Sequence, residues 1–112
     1  MTPMRKLADR SCRPLPAGTL ALTQEAIAAG LKQLPGWEFA DGAIGKNFSF
    51  DNFAATMAFV NSVAEIAARE DHHPDMRVGY DKCRIAYSTH SVGGLSENDF
   101  ICAAKIEALC RI

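Results

Sequence analysis

The sequence predicts an α+β two-layer sandwich: a four-stranded antiparallel sheet with helices on one face, in the order α-β-β-α-β-β-α. Three observations carry this. Two pairs of alternating apolar stretches are each joined by a short turn, so the strands come as hairpins and pair antiparallel. Between the pairs, residues 52–70 repeat their apolar positions at helical spacing without a Gly or Pro. Shorter helical patterns precede the first hairpin and follow the second. Helices with an apolar face must cover something, and a sheet with one apolar side is the natural partner.

The chain has 112 residues, 48% of them hydrophobic and 22% charged, with a formal net charge of -1. That length suits one domain with a real core. Residues 1–19, with Pro3, Pro14, Pro16 and Gly18, are expected to form a flexible N-terminal arm, and residues 20–112 a single domain. No basic stripe is present, so a nucleic-acid backbone is not expected as a partner. No run approaches the ~20 apolar residues of a membrane helix, and the apolar stretch Leu20–Leu22 is too short for a secretory leader. The four cysteines, at 12, 83, 102 and 110, form no C-x-x-C pair. Free thiols and a cytoplasmic, reducing location are therefore expected.

Taken in order, Thr23 is positioned to cap a helix whose face is Ile27, Leu31 and Leu34, stopped by Pro35-Gly36. Trp37-Glu38-Phe39 then alternates as a strand, and Asp41-Gly42 marks a two-residue turn. The return strand runs from Ala43 to about Phe50, with Ile44, Phe48 and Phe50 on one face and Lys46 interrupting it near an edge. Asp51 is expected to cap the long helix, roughly 28 Å at 1.5 Å per residue. Its stripe is Phe53, Met57, Val60, Ala64 and Ala67; Phe59, Val63 and Ile66 widen it, which calls for burial on a second side, in a thick core or at a subunit interface. The second hairpin alternates Met76, Val78, Tyr80 and Cys83, Ile85, Tyr87 about a turn at Asp81-Lys82, with both tyrosines read as core. Gly93-Gly94 follows, and Ser96 opens the last helix, to about Leu109.

The chemistry concentrates in Glu70-Asp71-His72-His73-Pro74-Asp75 and Ser88-Thr89-His90, which hold all three histidines. Imidazole alone has an unperturbed pKa near neutrality. With the turn at Asp81-Lys82, the register sets His73 opposite His90 at one end of the sheet, His72 turning away from the same corner. The loop after His90 delivers the last helix beside them with Asp99. Ser96-x-x-Asp99 is also a capping-box spacing, so Asp99 can orient a histidine or only cap its helix. Three histidines and an acid are also zinc-type donors, but they lack the helical H-x-x-x-H spacing and no metal is expected.

Asp71-His72-His73-Pro74, Ser88-Thr89-His90 and Gly94-Leu95-Ser96-Glu97-Asn98-Asp99 closely resemble the motif of the pterin-4a-carbinolamine dehydratases. The similarity runs back through Leu34-Pro35-Gly36-Trp37 and covers nearly everything from Leu22 to Leu109. The resemblance implies the same sandwich fold, assembled as a homodimer or homotetramer. It implies loss of water from a 4a-hydroxytetrahydropterin to give the quinonoid dihydropterin, which recycles a pterin cofactor of hydroxylases. The family's catalytic histidines fall on His72, His73 and His90, and its helix-start acid on Asp99. Its pterin-contacting segments fall on Asp71, His72 and His73 and on Ser88, Thr89, His90 and Ser91. The dehydration is redox-neutral, so no cofactor is expected. Of the three imidazoles, His73 and His90 are expected to be the acid/base pair and His72 to orient substrate. Some members of this fold act instead as assembly factors or transcriptional partners, with a protein partner at their exposed helices; the intact histidine set favours the enzyme.

Overall fold

A computed structural model describes residues 6–110; the first five residues of the expected arm and the last two of the expected domain fall outside the described residues. The elements are α1 (Gln24–Leu31), β1 (Glu38–Ala40), β2 (Ala43–Ser49), α2 (Phe53–Glu70), β3 (Asp75–Val78), β4 (Lys82–Tyr87) and α3 (Glu97–Leu109). The strands form one antiparallel sheet in the order β1-β2-β4-β3. This is the expected α+β sandwich. No described helix is long and apolar enough to cross a membrane.

Local chemistry explains the element ends. Thr23 caps α1, its hydroxyl accepting the Ala26 N–H at 3.2 Å. Asp41 and Gly42 both take positive φ (53° and 78°), so the expected turn joins Ala40 to Ala43. β1 begins at the Glu38–Gly45 pair, so its pairing with β2 stops one residue short of Lys46. On that uncovered side Lys46 reaches Glu107 of α3, which also accepts from Trp37 Nε1 at 2.8 Å. The cap of α2 is Asn52, not Asp51: its side chain accepts the Ala55 N–H at 2.8 Å, a reach that suits the residue immediately before the helix.

The core joins Ile44 and Phe48 of β2 and Cys83, Ile85 and Tyr87 of β4 to Phe59, Val63 and Ile66 of α2 and Phe100, Ala103 and Ile106 of α3. Each large apolar side chain buried there is worth about 1.5–3 kcal/mol. The face of α2 that meets the core is therefore centred on the set expected on its flank, joined by Val60 and Ala67 of the main stripe. Phe53 and Ala64, assigned to the main stripe, are exposed. Both stripes recur at three and four residues, and periodicity alone does not say which one meets the sheet. Thr56 sits fully buried on the core face because its hydroxyl is bonded to the carbonyls of Asn52 and Tyr80, each at 2.9 Å. In α1, a Cβ on Gly30 would fall 2.5 Å from the ring of buried Phe100. Gly30→Ala should therefore destabilise by about 1–3 kcal/mol through overpacking, against the ~1 kcal/mol gain that helix propensity alone gives. Urea unfolding distinguishes the two signs.

The second hairpin corrects the expected register. Val78 pairs with Cys83 and Met76 with Ile85, while the Gly79 N–H donates to the Lys82 carbonyl at 2.8 Å. The two turn residues are thus Tyr80 and Asp81, and the register moves by two residues. Side chains keep their faces, since a slip of two preserves the pleat. Continued past the ladder, however, this register brings His73 toward Ser88, not His90. Tyr80, expected in the core, lies exposed in the turn and stacks on Phe53.

Candidate active site

The site forms where α2 ends. Asp71 caps that helix in the left-handed conformation, φ 50° and ψ 44°, and both its N–H and that of His72 reach back to the Ala67 carbonyl. Aspartate tolerates this conformation better than most side chains. The reversal lays His72 over the core, where its ring stacks on Tyr87 at 5.3 Å and 16° between planes. His73 and Asp75 lie beyond it, exposed. From the other strand, β4 ends at Tyr87; Thr89 then bridges Gly94, closing a 3-10 turn at His90–Val92.

An open pocket of about 470 Å³ is lined by Asp71, His72, His73, Ser88, Thr89, His90 and Ser91, with Asp75 and Ala86. All seven residues named from the sequence as pterin contacts therefore border one concavity, including His73 and His90, which are not a cross-strand pair. Asp75 and Ala86 were not anticipated. They are opposed in the ladder, a relation visible only once the register is known.

Asp99 lies behind the pocket, with no exposed surface. Its Oδ1 is 2.6 Å from His72 Nε2. Its Oδ2 accepts from the Thr89 hydroxyl at 2.8 Å and from the Ser96 N–H at 2.9 Å. Thr89 Oγ1 also contacts Ser96 Oγ at 2.7 Å. The capping box at Ser96 is formed, so one carboxylate caps α3 and holds a histidine. The hydrogen bond to Asp99 raises the pKa of His72 above its ordinary value, outweighing the burial that favours the neutral ring. His72 Nε2 is thus committed to Asp99, which leaves Nδ1 for a ligand.

Thr89 belongs to this network as much as to the pocket wall: it is buried and its hydroxyl faces Asp99. That role was not legible, since it links residues ten apart through an irregular loop. Tyr87 Oη is buried without a hydrogen-bond partner among the described residues, and burial pushes the phenol up from its ordinary pKa. Tyr87→Phe should therefore keep the stack on His72 and stabilise the fold by about 1 kcal/mol, read from the urea midpoint. Among the described residues no group of three or more His, Cys, Asp or Glu is placed to hold a metal ion.

The arm borders the site from the other side. Arg10 and Arg13 both pair with Glu97, holding its carboxyl below the usual range, Arg13 most strongly. The Cys12 N–H donates to Glu70 at 2.8 Å, and Asn98 bonds the Arg13 backbone in both directions.

The fold and the site together define a small α+β protein: a helix-backed antiparallel sheet whose end carries a histidine-lined pocket, one ring held by a buried carboxylate. Residues 20–109 match the model of the pterin 4 alpha carbinolamine dehydratase family, and the chain belongs to that family. A relative from Nitrosomonas eutropha, named "Putative pterin-4-alpha-carbinolamine dehydratase", is 56% identical over 110 residues, covering 97% of each chain. One of the same name from Stenotrophomonas maltophilia is 50% identical over 97% of this chain and 96% of its own. Among solved structures, a transcriptional coactivator/pterin dehydratase from Brucella melitensis superposes with a TM-score of 0.77 at 32% identity, covering 80% of this chain and 97% of its own. A pterin dehydratase-like RuBisCO assembly factor of the alpha-carboxysome shares the fold, with a TM-score of 0.56 at 22% identity over 67% of this chain and 87% of its own.

Proposed function

We propose that the protein dehydrates 4a-hydroxytetrahydropterins to quinonoid dihydropterins by histidine acid/base catalysis, and so recycles a pterin cofactor. The observation that carries this is the His72–Asp99 contact beside His73 and His90 in one pocket.

The reaction removes the N5 proton, forms the C4a=N5 bond and expels the 4a hydroxyl, which leaves as water once protonated. It requires one base and one acid within reach of a bound pterin. His72 is suited to be the acid. Its raised pKa keeps it an imidazolium at higher pH, with Nε2 anchored on Asp99 and the Nδ1 proton free to pass to the hydroxyl. His90, from the Ser88–Ser91 segment, is assigned as the base at N5. His73 is assigned to hold the pterin ring with Asp71, Asp75 and Ser88. The acid role thus passes from the His73/His90 pair to His72, because Asp99 holds that imidazole and not the other two. Protons return from base to acid through solvent, since the pocket is open.

The test is the dehydration rate of freshly generated 4a-hydroxytetrahydropterin, followed by ultraviolet absorbance. A bell-shaped pH dependence of kcat is expected, falling at high pH as His72 loses its proton and at low pH as the base gains one. Flat behaviour across that range would remove the imidazoles from the chemistry.

The protein is also expected to act in the cytoplasm as a homodimer or homotetramer. β3 is a sheet edge whose Met76 and Val78 are partly exposed, a surface that favours pairing with a second copy. Light scattering would show a single monomeric mass if that is wrong.

A further inference from the structure

We propose that Cys12 and Cys102 form a reversible dithiol–disulfide site, oxidised by hydrogen peroxide, that fastens the N-terminal arm to α3. Their Sγ atoms lie 3.4 Å apart, although the residues are ninety positions apart in the chain. The contact is held from both sides. On the arm, the Cys12 N–H is bonded to Glu70 and the next residue, Arg13, to Asn98. On α3, Cys102 is fully buried one turn after Asn98. A disulfide has an S–S length of about 2.05 Å, so roughly 1.4 Å of approach closes the bond. Cys12 is half-buried and is the member a small oxidant can reach; Cys83 is enclosed in the core and Cys110 lies at the far end of α3.

The electrostatics suit such a pair. The contact between the two sulfurs lowers the pKa of Cys102 and raises that of Cys12. The thiolate is the nucleophile in oxidation and exchange; these shifts favour it on Cys102, which is thereby suited to take the proton of Cys12. Cys12, the sulfur that peroxide can reach, gives its proton to the Cys102 sulfur and attacks the peroxide O–O bond; the sulfenic acid forms, and the expelled hydroxide takes a proton from Cys102 and leaves as water. Cys102 then attacks the Cys12 sulfur and displaces hydroxide, which leaves as the second water. Two electrons pass from the sulfurs to peroxide, and both thiol protons leave in the two waters. A low-molecular-weight thiol reverses the step by exchange.

The bond would also reach the site. A cavity of about 360 Å³ runs between the arm, at Cys12 to Leu15, and Asp71, His72, Thr89 and Ser91. Those four residues also line the candidate active site, so the oxidised pair fixes one wall behind His72.

The experiment is treatment of the full chain with a few equivalents of hydrogen peroxide. Thiols are then counted in denaturant, and peptides mapped without reductant. Two of the four thiols should disappear, a peptide linking Cys12 to Cys102 should appear, and dithiothreitol should restore all four. The bond closes a long loop, so Tm should rise by roughly 10 °C. Cys12→Ser, at a half-buried position and outside the catalytic residues, should fold, keep its three thiols and show no rise; Cys102→Ala should agree if it folds. Peroxide treatment that yields Cys12 sulfinate or disulfide dimers through Cys110, with no linked Cys12–Cys102 peptide, would overturn the proposal.

Discussion

Replacing His90 by alanine is expected to slow dehydration roughly 10²–10⁴-fold while leaving Tm almost unchanged. The two halves of that expectation come from different observations. The rate loss follows from the base role assigned to this imidazole in the pocket. The unchanged stability follows from its surroundings: His90 is exposed at the start of a 3-10 turn. Its side chain makes no hydrogen bond or ion pair among the described residues, and removing an exposed side chain usually costs less than about 0.5 kcal/mol. His73, also exposed, supplies the internal comparison. As a residue that holds the pterin, it should on truncation raise KM more than it lowers kcat. If His73→Ala loses far more kcat than His90→Ala, the base is His73 and the two roles exchange.

Asp99→Asn is expected to damage rate and stability together, in a way that pH separates. The carboxylate is fully buried and accepts three hydrogen bonds. An amide can still accept from Ser96, but it lacks the charge that favours the imidazolium. A loss of about 2–3 kcal/mol near neutral pH is expected, read from urea unfolding. The pH dependence has a definite sign. His72 has a folded pKa above its unfolded value of about 6.5. Its contribution is therefore fully present below about pH 6.5 and is lost as pH rises through the raised folded value. In the Asn variant that loss should flatten, because His72 no longer gains the charged partner. In kcat, the high-pH limb should move to lower pH for the same reason. Asp99 is thus a positioning residue acting through His72, and a cap-only role makes a different prediction: destabilisation with the high-pH limb unmoved. A second check is non-additivity. In a His72→Gln background, Asp99→Asn should cost little further rate, since the two act as a unit.

Much of the fold was legible because local signals agreed with the global arrangement. Thr23, Asp41-Gly42 and Ser96 each carry a cap or turn chemistry that survives in the folded chain unchanged. The departures occur where two local solutions were nearly equivalent. Asp51 and Asn52 are both good caps, and only the helix start decides between them. Two stripes on α2 share one period, so which set meets the sheet depends on how the helix sits over it. The turn at Tyr80-Asp81 differs from Asp81-Lys82 by one residue, yet that one residue moves the partner of His73 by two. The site itself was readable as a set of residue types because two short segments hold most of it. Its electrostatics were not: the bonds from Asp99 to His72 and Thr89 span twenty-seven and ten residues, and no spacing rule connects them. The contact of Cys12 with Cys102 is illegible in the sequence for the same reason: it spans ninety residues, from an arm that carries no periodicity of its own.

The central claim is that the His72–Asp99 unit, with His90, transfers the protons of pterin dehydration. Its most direct measurement is the rate of loss of freshly generated 4a-hydroxytetrahydropterin across pH, with the full chain beside buffer and beside His90→Ala. A large acceleration by the full chain, bell-shaped in pH and collapsing in the variant, is the predicted result. A folded full chain that gives no acceleration over buffer, or one that His90→Ala matches at every pH, would contradict it.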